Sequence, residues 1–207
     1  MKTLIQESQT RQTDSRLRPS TAPKQIFQRP PKAAPQSFEM RHPDAQTGSA
    51  MWELVKATGV LDLNSAYLYL MMGHYYGQTC IVAEQADQIM GFVMGFIPPD
   101  RPDTYFLWQV GVSEKARGQG LATRMIQHLF QQSACAQIRY LETTITPSNQ
   151  ASRRLFQGLA RRLNTQLEIR EGFDKSLFPT AAQHESEELF YIGPFVPQTQ
   201  ATQEVKA

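Results

Sequence analysis

An apolar run, Thr104–Val112, passes through a short polar connector into Arg117-Gly118-Gln119-Gly120-Leu121-Ala122, and an amphipathic helix leaves that turn with Leu121, Met125 and Leu129 on one face. Strand, glycine turn and helix in this order confine the chain to folds in which a sheet strand delivers a helix at a ligand-binding end. Two glycines let the backbone approach a ligand with no Cβ in the way. The first N–H groups of a helix lack internal partners and lie at the positive end of its dipole. A pyrophosphate suits such a joint, and Arg117 adds a full charge at its rim. A plain surface turn has the same spacing, so context must separate the two readings. A P-loop needs Gly-Lys-Ser/Thr, and a dinucleotide fold needs a third glycine where Thr123 stands. The segment has neither.

The context is a mixed α/β chain. Phe38, Met40 and His42 alternate as a first strand. A helix is expected over Thr47–Thr58, ended by Gly59, and a second from a cap at Asn64 or Ser65 to about Tyr76, with Gly77 as its stop. Strands follow at 79–84, 88–97 and 104–112, then a helix over 118–132 and a strand over 136–145. A helix starts near Ser148 or Asn149 with Ala151, Leu155, Leu159 and Leu163 as its apolar face. Two strands, 167–170 and 187–192, close the fold. Strict strand–helix alternation is missing, which excludes a doubly wound sheet and leaves a mixed sheet with helices on both faces.

Charge divides the chain. Residues 1–36 hold seven Lys/Arg against two acids, whereas the remainder holds fourteen against seventeen, for a net charge of +2. Rich in Gln, Ser, Thr and Pro, residues 1–36 read as a disordered basic tail, because such composition buries too little apolar surface to offset chain entropy. Residues 37–195 read as the folded domain and 196–207 as a flexible C-terminal tail. A nucleic-acid-binding body would carry the basic excess itself. No apolar run reaches the roughly 18–20 residues of a membrane span. Cys80 and Cys135 lack metal-ligand spacing and read as buried free thiols in a reducing compartment, and no metal site is expected.

The glycine turn matches, as Arg117-x-x-Gly120-x-Ala122, the Gln/Arg-x-x-Gly-x-Gly/Ala signature of the GNAT acyl-CoA N-acyltransferases, and the whole segment resembles them in order and spacing. The resemblance implies a mostly antiparallel mixed sheet. It implies acetyl-CoA as cosubstrate, its pyrophosphate held around Arg117, Gly118, Gln119, Gly120, Leu121 and Ala122. Val110 and Val112 would flank the pantetheine arm where the strand splays from its neighbour, and Asn149 would touch coenzyme A. Phe156 stands where that family commonly places a tyrosine that protonates the departing thiolate, so the usual general acid is missing.

Four further stretches, Leu61–Leu70, Phe106–Val110, Tyr140–Asn149 and His184–Phe195, resemble one branch of the family. Its members acetylate the γ-amino group of L-2,4-diaminobutyrate on the way to the compatible solute ectoine, a response to osmotic stress. The likeness covers about residues 37–195. It implies that Asp62, Tyr67, Trp108, His184 and Glu187 line the amino-acid pocket, and that the chain works as a homodimer; its composition and free thiols read as cytoplasmic.

Chemistry supports these residue types. Diaminobutyrate carries two ammonium groups and one carboxylate, so its pocket needs acids, an aromatic wall and a carboxylate partner. Asp62 fits either a helix N-terminal charge or a pocket acid, and Trp108 fits either core or a wall facing a cation. Glu187 and Glu188 are adjacent at a strand start, so one faces in and one out. Glu142 and Thr144 share a strand face and are further candidates. An amine with a pKa near 10 must lose a proton before attack, which calls for a base. Glu187 is the expected base, with His184 as helper or alternative. Backbone N–H groups near Val110 would hold the oxyanion. Two other activities fit the residues: acetylation of another diamine or polyamine, and coenzyme A binding without catalysis.

Overall fold

The computed structural model describes residues 37–59, 61–179 and 184–196. The tail expected at 1–36, and that expected at 196–207 apart from Val196, lie outside them. The chain runs β1 (Glu39–Arg41), α1 (Ala45–Thr58), α2 (Ala66–Tyr75), β2 (Ile81–Gln85), β3 (Gln88–Phe96), β4 (Thr104–Val112), α3 (Leu121–Phe130), β5 (Tyr140–Ile145), α4 (Gln150–Arg162), β6 (Leu167–Glu171) and β7 (Glu188–Ile192). Each expected element is present with adjusted ends, and the causes are local. Asp44 starts α1 before Thr47: it accepts from Thr47 N at 2.8 Å while Thr47 Oγ1 accepts from Asp44 N, a reciprocal cap. Positive φ at Gly118 (75°) and Gly120 (70°) keeps α3 from starting before Leu121. A 3₁₀ turn at Ser133–Cys135 takes up the chain ahead of β5, so Cys135 is not on a strand.

The seven strands lie in the order β1-β2-β3-β4-β5-β7-β6. All neighbours are antiparallel except β4 and β5. One face packs Val82, Phe92 and Met94 against Met51 and Val55 of α1 and Tyr69 and Met72 of α2. The other packs Ile81, Val93, Tyr105 and Leu107 against Leu121, Met125 and Leu129 of α3 and Phe156 and Leu159 of α4. Ala151, expected on the apolar face of α4, is exposed; the buried stripe is Phe156, Leu159 and Ala160, which is the arc that meets the sheet.

The strand β4 departs from regular pairing on both sides. Its parallel pairing to β5 covers Thr104↔Tyr140, Tyr105↔Leu141 and Phe106↔Glu142, and stops there although both strands continue. Past Phe106, the β4 edge that faces β5 has no strand partner among the described residues. On the other side, the register with β3 jumps from Met94↔Gln109 to Gly95↔Leu107, leaving Trp108 as a bulge. The bulge inverts side-chain parity. Tyr105 and Leu107 share a core with Val110 and Val112, while Gln109 turns to the opposite face.

Candidate active site

Where β4 and β5 part, a cleft of about 980 Å³ opens. Its floor is Phe106–Val110 of β4 and Glu142–Ile145 of β5. One wall is the loop before α2, carrying Leu61, Asp62 and Asn64. The opposite wall is the β6–β7 connection, carrying Glu171, Phe173, Phe178, His184 and Glu187. Asn149, Ser152 and Phe156 of α4 complete it.

Side chains hold each wall. Gln109 accepts from Tyr69 Oη at 2.9 Å and donates from Nε2 to the Asp62 carbonyl at 2.9 Å. Trp52 Nε1 donates to the Asn64 carbonyl at 3.1 Å. The loop bearing Asp62 is thereby tied to the core by its backbone, which leaves the carboxylate for the cleft. Across the cleft, Glu187 N donates to the Phe173 carbonyl at 2.8 Å, and Ser186 Oγ donates to Asp174 Oδ2 at 3.1 Å. Hydrogen bonds from Ser176 and Ser186 hold the Asp174 carboxyl below its ordinary range. The His184 ring stacks on Phe178 with centroids 3.7 Å apart. Its Nδ1 lies 2.6 Å from the Glu185 carbonyl, which can only accept, so Nδ1 carries the proton. Nε2 is then the basic nitrogen of the neutral ring.

The adjacent acids divide as alternation requires. Glu187 lines the cleft, whereas Glu188 pairs with Arg153 of α4. Glu142, 4% exposed, accepts from Arg101 Nη1 at 2.5 Å. Trp108 is 43% exposed and lines the cleft rather than filling the core. Asp62, Trp108, His184, Glu187, Val110, Asn149 and Phe156 are therefore brought together. Tyr67 is not among them: it lies on α2, 72% exposed, outside the cleft lining.

Val112, Arg117, Gly118, Gln119, Gly120, Leu121 and Ala122 sit beyond the cleft, at the far end of β4 and the start of α3. Side chains cap α1, α2 and α4 through Asp44, Ser65 and Asn149, but α3 begins at Gly120 with no side-chain cap. A Cβ at Gly118 or Gly120 would meet no atom within 4 Å, so the glycines answer to backbone conformation and to the open space a ligand needs. Arg117 is held beside this turn by Glu114 at 3.4 Å. Asn149 Oδ1 is spent on Ser152 N at 3.1 Å, and its amide N–H groups are what it can offer a ligand. Phe156 is buried and has no proton to give.

Sequence reasoning passes over Arg101, Gln109 and Glu171. Arg101 stands among prolines in a connecting loop, where its only signal is being a lone cation in a stiff turn. Gln109 lies inside an apolar strand, and a polar residue there is itself a signal of a buried hydrogen-bond role. Cys80 and Cys135 are buried and unpaired as expected, and burial pushes both thiols up to about 12. Among the described residues, no His/Cys/Asp/Glu cluster suits a metal, and no helix is long and apolar enough to cross a membrane.

A strand that splays from its parallel neighbour, then a glycine turn at an uncapped helix start, is the frame of an acyl-CoA-dependent N-acyltransferase. The acetyltransferase (GNAT) family model matches residues 49–161, and the chain belongs to that family. Among its relatives, the L-2,4-diaminobutyric acid acetyltransferase of Halalkalibacterium halodurans is 46% identical over 84% of this chain and 90% of that protein. That of Marinococcus halophilus is 48% identical over 74% and 88%. The solved diaminobutyrate acetyltransferase of Paenibacillus lautus, in complex with L-2,4-diaminobutyric acid and coenzyme A, is 43% identical. It superposes with a TM-score of 0.74 over 79% of this chain and 99% of that one.

Proposed function

We propose that this chain transfers the acetyl group of acetyl-CoA to the γ-amino group of L-2,4-diaminobutyrate, a step toward ectoine, by direct attack in a ternary complex. One observation carries the reading. The cleft between β4 and β5 is walled by Asp62, Glu142, Glu171, Glu187 and Trp108, a surface suited to a dication, in a chain so similar to an enzyme whose structure is solved with both ligands. Acetyl-CoA supplies the thioester. The amides of Gly118–Ala122 and Arg117 suit its pyrophosphate, Val110 and Val112 flank the arm, and Gln119, Asn149 and Phe156 complete its contacts.

Asp62 and Trp108 orient the diamino acid, the indole face attracting an ammonium. Glu187 takes the proton from the attacking ammonium, directly or through water, and His184 assists through Nε2. The unpaired β4 edge near Val110 donates backbone N–H to the oxyanion. With Phe156 in the usual acid's place, the thiolate leaves unassisted, which a thiol pKa near 8.5 permits. Neither cysteine takes part, because a thiol held near 12 is a poor nucleophile. Tyr67, exposed in the first turn of α2 on an element whose last residue Tyr75 is also exposed, fits a surface that a second subunit covers, in keeping with a homodimer. Buried reduced thiols suit the cytoplasm.

The test is product identity. The full chain incubated with acetyl-CoA and L-2,4-diaminobutyrate yields a monoacetylated product, and tandem mass spectrometry places the acetyl on the γ-nitrogen. Acetyl on the α-nitrogen, or turnover of polyamines without diaminobutyrate, would refute the proposal.

A further inference from the structure

We infer that Arg101 recognises the α-carboxylate of the substrate and thereby separates a diamino acid from a plain diamine; this rests on the diaminobutyrate reading. Arg101 sits in the β3–β4 loop, between Pro98, Pro99 and Pro102. The loop is closed by Arg101 N donating to the Pro98 carbonyl at 3.0 Å and Thr104 N donating to the Arg101 carbonyl at 3.1 Å. Three fixed φ angles and these bonds make a stiff mount. The guanidinium lines the cleft, half exposed, and Nη1 is anchored on the buried carboxylate of Glu142.

Among the described residues that line the cleft, Arg101 is the only lysine or arginine, set among Asp62, Glu142, Glu171 and Glu187. A substrate with two ammonium groups and one carboxylate meets attraction for its cations almost anywhere on that surface. Its carboxylate meets repulsion everywhere except at Arg101. A guanidinium presents a planar fork of N–H donors, and after the bond to Glu142 it retains Nε and Nη2 for a second carboxylate. Glu142 is the positioning residue: it fixes the fork's place and offsets part of its charge. Arg101 and Glu142 lie at the end where β4 and β5 are still paired, and the glycine turn lies at the other end of β4. The amino acid therefore lies with its carboxylate toward the paired end and its γ-nitrogen toward the splay.

The experiment compares L-2,4-diaminobutyrate with 1,3-diaminopropane, the same diamine without the carboxylate, on the full chain. Diaminopropane is followed as a substrate or, without turnover, as a competitive inhibitor. Arg101→Gln should raise KM for diaminobutyrate by about 10- to 100-fold, the worth of a charged hydrogen-bond pair. The constant for diaminopropane and the KM for acetyl-CoA should stay within about two-fold of wild type, and Arg101→Lys should recover part of the loss. Because Arg101→Gln strands a buried carboxylate, the pair Arg101→Gln/Glu142→Gln repeats the comparison without that charge. Equal losses on both amines, or no loss on diaminobutyrate, would overturn the assignment. No diaminobutyrate turnover by the wild-type chain would instead overturn the functional reading itself.

Discussion

Glu187 and Glu188 are chemically identical neighbours, yet one faces the cleft and the other is tied to Arg153 across the β7–α4 contact. Alternation along a strand does this, and only the start of β7 decides which acid gets which face. Glu187→Gln keeps the shape and removes the proposed base. Steady-state kinetics should show kcat down by about 10²- to 10⁴-fold with KM for acetyl-CoA unchanged. Retained kcat in that variant, with loss in His184→Asn, would move the base to the histidine. The imidazole is already in the tautomer for the task, since Nδ1 donates to the Glu185 carbonyl.

Among elements, β4 shapes most of the candidate site. Its C-terminal half loses β5 as a partner, its bulge turns Trp108 to the cleft, and its next residue ties down the loop that carries Asp62. Gln109→Leu should therefore act twice. Tyr69 Oη loses its partner in a fully buried setting, for a stability loss of about 1–3 kcal/mol in chemical denaturation. The freed Asp62 loop should raise KM for the amine several-fold while leaving KM for acetyl-CoA unchanged. A stability loss without a change in amine KM would reduce Gln109 to a core residue. The apolar run 104–112 makes β4 easy to expect, but the bulge is not legible in it. Apolar side chains on successive positions before Gln109 leave no alternation to break, so core and cleft are equally open to Trp108. The α4 face also differs from its apolar spacing: Ala151 continues that spacing but is exposed in the first turn of the helix, and the buried residues are Phe156, Leu159 and Ala160.

At the scale of the whole molecule, the two thiols report on the core. Burial raises Cys80 and Cys135 from 9.0 to about 12, so the folded state favours their protonated form. Their contribution to stability is complete below the unfolded thiol value of 9.0 and is lost as pH rises toward 12. Denaturation midpoints should fall between pH 8 and pH 11, less so in a Cys80→Ala/Cys135→Ala variant corrected for its lower baseline. Native protein should label slowly with a thiol reagent at pH 8, and both cysteines should react in denaturant. Fast labelling of the native chain would mean the core opens far more readily than its packing implies.

Element types and order, the glycine turn with the pyrophosphate proposed for it, and the acidic character of the pocket all follow from patterns a few residues long. They are set by side-chain period, backbone freedom at glycine and charge, which act locally and can be read along a chain. The cleft depends on contacts between residues far apart in sequence: Asp62, Arg101, Trp108, Glu142 and Glu187 meet only because β4 and β5 pair for three residues and then part. Which acid faces inward, how Gln109 holds a distant loop and where the lone cationic fork stands are consequences of strand register, and register is decided by the packing of the whole sheet against its helices.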